Sequence, residues 1–160
     1  MELEVLLMEA HFETPEAHAI LVAEDDDTDF FFLQTAVESE GLPHRLCRAH
    51  NGQEVMDLLE GKGAFADRSL WPFPDLLILD LKMPERDGFE VLAALKKSPS
   101  LAELPVVILT GSNMASDEKL ARGLGASDYH MKPCGIQNLR DLILRICERW
   151  LKQQHTPQQH

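Results

Sequence analysis

Five side chains in this sequence could do chemistry together if the fold brings them to one place. They are the acidic pair Glu24 and Asp25, the carboxylate Asp80, the hydroxyl of Thr110 and the ammonium of Lys132. Crowded carboxylates repel one another and resist full ionisation, and a divalent cation relieves that repulsion. Mg²⁺ is typically held by one or two carboxylates, water and phosphate oxygens. A carboxylate beside such a cation can attack phosphorus and form an aspartyl phosphate. The transferring phosphoryl group carries negative charge on three outer oxygens and needs cations and hydrogen-bond donors around them. Lys132 supplies a point charge, Thr110 a hydroxyl, and the backbone N–H of Gly111 a further donor. Asp80 taken alone has an ordinary reading, as the residue that ends a strand and caps a turn. Its company elsewhere in the chain is what makes it a candidate nucleophile.

These residues share a position relative to the apolar runs. Residues 76–79 are Leu-Leu-Ile-Leu, the pattern of a strand buried on both faces of a parallel sheet, and Asp80 follows directly. Residues 19–23 form a second such run ending in Glu24-Asp25-Asp26-Asp27. One of these acids or Thr28 caps a helix carried by Phe30, Leu33 and Val37, and four acids exceed what one cap requires. Residues 45–49 alternate as a strand, and a helix from Asn51 ends at Gly61 and Gly63. The connection 62–74 is long for a compact domain. Its Phe65, Trp71 and Phe73 either fold back onto the core or present a partner-binding loop. A helix spans about 88–97, and residues 105–110 form a β-branched strand ending in Thr110. A short helix runs from Ser116 to Gly125. Residues 127–131 are the most polar strand, hence an edge, with Lys132-Pro133 next. Leu139, Leu142, Ile143, Ile146 and Trp150 mark one face of a last helix. Five alternations of strand and helix imply a doubly wound parallel sheet with helices on both faces. The candidate residues then all lie at one edge of it, where open α/β sheets bind ligands.

The chain has 160 residues, enough for one domain with a sizeable core, and a formal net charge of -12. Such an acidic chain is poorly suited to nucleic acid, whose binding depends on Lys and Arg. No apolar run approaches a membrane span, and the acidic start, Met1-Glu2-Leu3-Glu4, is unlike a signal peptide. Cys47, Cys134 and Cys147 are an odd count without metal spacing and fit a reducing cytoplasm. The expected organisation is an N-terminal arm over 1–17, a domain over 18–151 and a polar tail over 152–160.

The sequence resembles the receiver domain of two-component response regulators. The resemblance rests on the acids after the first strand, Asp80 with Met83-Pro84 and Asp87-Gly88, Thr110-Gly111-Ser112, Gly125-Ala126 with Tyr129, and Lys132-Pro133. It implies a flavodoxin-like sheet of order 2-1-3-4-5. It further implies that Asp80 accepts a phosphoryl group from a sensor histidine kinase. Glu24, Asp25 and Asp80 would bind Mg²⁺ together with the backbone carbonyl of Lys82. Lys132 would contact the phosphoryl oxygens, and Thr110 and Tyr129 would relay the change, Tyr129 by turning inward. The Lys132-Pro133 bond would be cis. Glu24 stands where Asp is frequent in this family, and its longer arm would reach the metal through water. The long 62–74 connection looks like that of receivers partnering bacterial phytochromes.

No output domain is expected after the last helix. Phosphorylation would then act by reshaping a surface over the 116–124 helix, the last strand and the last helix, for a downstream protein or a homodimer. Two alternatives are a Mg²⁺-dependent phosphatase with an aspartyl nucleophile and a pseudo-receiver scaffold that takes no phosphate. The phosphatase commonly has an acid two residues past its nucleophile, where this chain has Lys82. The intact Asp80, Thr110 and Lys132 speak against the scaffold. No Gly-rich phosphate loop follows the first strand, which disfavours a nucleotide-binding flavodoxin-like protein.

Overall fold

The computed structural model describes residues 17–151. The arm, apart from Ala17, and the tail expected at the two ends fall outside the described residues. Strands and helices alternate as β1 (Ala19–Ala23), α1 (Asp27–Ser39), β2 (Arg45–Ala49), α2 (Gly52–Glu60), β3 (Leu76–Leu79), α3 (Gly88–Lys97), β4 (Val106–Thr110), α4 (Ala115–Gly123), β5 (Asp128–Met131) and α5 (Ile136–Trp150). The sheet order is β2-β1-β3-β4-β5. Every pairing is parallel. The polar β5 is an edge, as its composition implied. Among the described residues no helix is long and apolar enough to cross a membrane.

Strand side chains alternate between two cores, because successive residues of a strand point to opposite faces. Ile20, Val22, Leu76, Ile78, Val107 and Leu109 meet Leu33 and Val37 of α1 and Leu142, Ile143 and Ile146 of α5. Leu21, Ala23, Leu77, Leu79, Val106 and Ile108 meet α2, α3 and α4 through residues such as Leu58, Leu92 and Ala121. Both central strands, β3 and β4, are buried throughout. This explains their unbroken apolar runs.

The helix starts lie at the carboxyl edge of the sheet, and side chains fix three of them. Asp26, not Thr28, caps α1, its carboxylate accepting from the Asp29 N–H at 2.9 Å. Asn51 caps α2 at 2.8 Å and Asp87 caps α3 at 2.9 Å. Each such cap contributes about 1 kcal/mol. The long connection contains a short 3-10 turn, Gly63–Phe65. Arg68 holds it by donating to the carbonyls of Leu58 at 2.7 Å and Leu59 at 3.0 Å, the free end of α2. Phe65 and Trp71 meet edge-to-face at 5.0 Å and pack against the core, whereas Leu70 and Phe73 stay exposed. The fold-back reading therefore holds for Phe65 and Trp71.

Gly88 decides how closely α3 approaches the site. A Cβ there would lie 2.5 Å from the backbone oxygen of Asp80 and 2.8 Å from Cα of Leu81. Both neighbours are backbone and cannot swing away. Gly88→Ala must therefore push α3 off the end of β3. We expect a stability loss of about 1–3 kcal/mol, the usual scale of overpacking, in equilibrium urea unfolding. An unchanged midpoint would show that the approach is not tight.

Candidate functional site

β1 delivers Glu24 and Asp25 to the carboxyl edge. The Glu24 N–H donates to Ala49 O at 3.0 Å, and Arg48 Nε donates to Glu24 O at 3.0 Å. Arg48 also pairs with Asp27 at 2.8 Å and lies over the Phe30 ring at 4.9 Å. The backbone of the acidic turn is thus gripped from β2. Glu24 is buried, and Asp25 is exposed. β3 delivers Asp80, also buried, whose N–H donates to Ala23 O at 3.2 Å. Asp80 Oδ1 accepts from the Lys82 N–H at 3.3 Å, so the ordinary turn-capping contact is present as well.

β4 ends in Thr110, which is buried, with Gly111 exposed after it. Thr110 Oγ1 accepts from the Ser112 N–H at 3.3 Å, and Thr110 O accepts from the Lys132 N–H at 2.7 Å. That backbone bond fixes the base of the lysine. Its ammonium reaches three carboxylates: Asp29 Oδ2 at 2.8 Å, Glu24 Oε1 at 2.9 Å and Asp80 Oδ2 at 2.9 Å. The structure thus brings Glu24, Asp80 and Lys132 into direct contact, with Asp25 and Thr110 beside them at the same edge.

Two expectations need correction. Lys132-Pro133 is not cis, since the described residues contain no cis peptide bond. The intrinsic preference of an X–Pro bond for trans is about 0.5–1 kcal/mol, and the structure keeps it. Tyr129 does not wait outside for an inward turn. It is already buried within the core under α4, its hydroxyl without a well-formed hydrogen bond among the described residues.

Electrostatics at the site are set by burial and by too few cations. Burial pushes the Glu24 carboxyl up, its hydrogen bond with Asp80 adds to this, and Lys132 offsets only part, leaving it at about 9. Burial alone would weaken the Lys132 charge. The bonds to Asp29, Glu24 and Asp80 outweigh it and hold the ammonium above its ordinary range. Asp29 is lowered, chiefly by the hydrogen bond from Lys132. Ligand atoms of Glu24, Asp25 and Asp80 lie within 4.8 Å of one another. An all-oxygen donor set with excess negative charge suits a hard divalent cation. Burial first, and then Asp80, thus favour the neutral form of Glu24 when no cation is there.

The response regulator receiver domain family matches residues 20–144. The chain belongs to that family. It is similar to the response regulator Rcp1 of Synechocystis sp. (strain PCC 6803), 32% identical over 133 residues, covering 83% of this chain and 88% of Rcp1. Among solved structures it resembles the phosphorylated cyanobacterial phytochrome response regulator RcpA, at 32% identity and a TM-score of 0.77, over 85% of this chain and 95% of that one. It also resembles the Mn²⁺-bound form of Rcp1, at 31% identity and a TM-score of 0.74, over 84% and 94% of the two chains.

Asp29 is the site residue that the sequence did not reveal. An acid three residues past the cap of a helix reads as ordinary first-turn charge. Only its distance to Lys132 distinguishes it from Asp27.

The raised Glu24 carboxyl has a consequence for stability without metal. Below about pH 4.5 the folded and unfolded chains both hold this proton, and between there and about 9 only the folded chain does. The native state binds more protons in that window, so stability falls as pH rises through it. In chelator, Glu24→Gln should flatten this part of the pH profile and exceed the wild type in urea resistance at about pH 8. Parallel profiles for the two proteins would show that Glu24 ionises normally.

Proposed function

We propose that this receiver accepts a phosphoryl group on Asp80 from the phosphohistidine of a sensor histidine kinase. The observation that carries the reading is the contact of Lys132 Nζ with buried Asp80 at 2.9 Å beside the acidic pair. An Asp80 carboxylate oxygen attacks phosphorus, the P–N bond breaks, and its electron pair stays on the kinase imidazole. Asp80 lies at the end of a buried strand, so the nucleophile is held on a rigid support. Lys132 would exchange a carboxylate partner for a phosphoryl oxygen, and Thr110 and the Gly111 N–H would donate to the others. Glu24, Asp25, Asp80 and the backbone carbonyl of Lys82 are the groups that would hold Mg²⁺. When bound, Mg²⁺ supplies the positive charge that lets the carboxylates and phosphoryl oxygens share one site. The protein acts on its own phosphoryl group and on no outside substrate. Lys82, two residues past Asp80, cannot readily protonate a leaving group, which disfavours the phosphatase reading.

Similarity to a phytochrome response regulator supports a phytochrome-type kinase as the donor. An apolar recess of about 230 Å³ between α1 and α5, lined by Phe32, Leu33, Ile136 and Leu139, opens beside Asp29 and Lys132 and is available to that kinase. Free Cys47, Cys134 and Cys147 suit the reducing cytoplasm. Output would pass through α4, β5 and α5, where Met114, Leu120 and Met131 are exposed, to a downstream protein or a second copy of the chain. Since Tyr129 is already inside, its part in the relay is a change of hydroxyl partner rather than a rotation from solvent. A local charge that biases a two-state surface is sufficient for such a switch.

Acetyl phosphate with Mg²⁺, followed by intact mass, tests the chemistry. We expect a single phosphoryl adduct on the wild type, none on Asp80→Asn, and slower labelling of Asp25→Asn. Labelling of Asp80→Asn at the wild-type rate would refute the assignment. An unmodified wild type would favour the scaffold, and steady release of phosphate from unrelated esters the phosphatase.

A further inference from the structure

We infer that Asp29 is a positioning residue for Lys132, tuning how the site divides its affinity between cation and phosphoryl anion. This rests on the phosphoacceptor reading above. A lysine ammonium has three hydrogens. Asp29, Glu24 and Asp80 take one each, at 2.8, 2.9 and 2.9 Å, so none is left for a phosphoryl oxygen. First-turn charge does not account for Asp29. Asp26 already caps α1, and Asp27 turns to Arg48. Asp29 alone of the three reaches across to the loop after β5. Its side chain is 42% exposed, against 2% for Glu24 and 9% for Asp80, so it sits on the solvent side of the ammonium.

That placement has two opposite effects. Toward a phosphoryl group on Asp80, Asp29 competes for the ammonium and adds a repelling negative charge. Toward a divalent cation, it takes a share of the ammonium that Glu24 and Asp80 would otherwise hold between them, and adds an attracting charge. Asp29 therefore strengthens metal binding and weakens anion binding. A residue that merely held α1 in place would affect both in the same direction.

The test uses the full chain and two equilibrium constants. Mg²⁺ affinity is measured by titration calorimetry, and beryllofluoride affinity at saturating Mg²⁺ by fluorine NMR. For Asp29→Asn we expect the Mg²⁺ Kd to rise roughly two- to five-fold and the beryllofluoride Kd to fall by a similar factor, the scale of a partly exposed ion pair. Asp29→Glu keeps the charge and should stay near wild type in both. Glu38→Gln, on an exposed position of the same helix, should shift neither. Constants for Asp29→Asn that move together, or do not move, would overturn the inference while leaving the phosphoacceptor reading intact. A wild type that binds Mg²⁺ but no beryllofluoride would instead remove that reading, and this inference with it.

Discussion

Lys132 Nζ ties together carboxylates from three parts of the chain: Glu24 after β1, Asp29 in α1 and Asp80 after β3. Each alone would be a charge at the edge of a sheet, and two of them are buried. Buried like charges at this spacing resist ionisation together. The site resolves the conflict in two ways. One ammonium is shared three ways, and Glu24 keeps its proton to about 9. Neither gives full compensation. The charge imbalance that remains is what makes the site receptive to a divalent cation and, after it, to a phosphoryl group.

The rest of the fold holds that imbalance in place. Parallel strands bring their carboxyl ends to one edge, so residues far apart in sequence meet without long loops. Arg48 clamps the acidic turn from β2, and the Lys132 N–H is fixed to Thr110 O. Gly88 lets α3 lie against the backbone of Asp80. Nearby, Glu85 adopts a left-handed φ of 62°, a conformation non-glycine residues rarely take. The loop after Asp80 is thus held on both sides, by the sheet and by the start of α3. Repulsion among the carboxylates must be offset by the two apolar cores.

Much of this was legible in the sequence, for physical reasons that differ from residue to residue. The strand and helix periods reflect which faces are buried, so β3 and β4 could be read almost to the residue and the apolar face of α5 recognised. Asp80 was visible because it follows an apolar run directly, and Lys132 because it closes the last strand, just before Pro133. Asp29 was hidden by an ordinary alternative, since a helix start favours acids whatever they face. In the 62–74 connection, three aromatics could not be sorted into packed and exposed, because the sorting depends on Arg68 finding the carbonyls at the end of α2. Tyr129 was expected on an edge strand, to turn inward on activation, but it is already buried, packed in the core cluster that includes Ala121 of α4. The isomer of Lys132-Pro133 rests on a small intrinsic preference that sequence alone does not override.

Glu24, Lys132 and the cation are bound into one account by the proton that Glu24 retains. If a divalent cation takes over the compensation that Lys132 now shares out, Glu24 must ionise when the metal enters. Calorimetric titration of Mg²⁺ near pH 7.5, repeated in buffers of different ionisation enthalpy, counts the protons released. The account predicts about one proton per metal ion, abolished in Glu24→Gln. Binding of Mg²⁺ with no proton released from the wild type would contradict it.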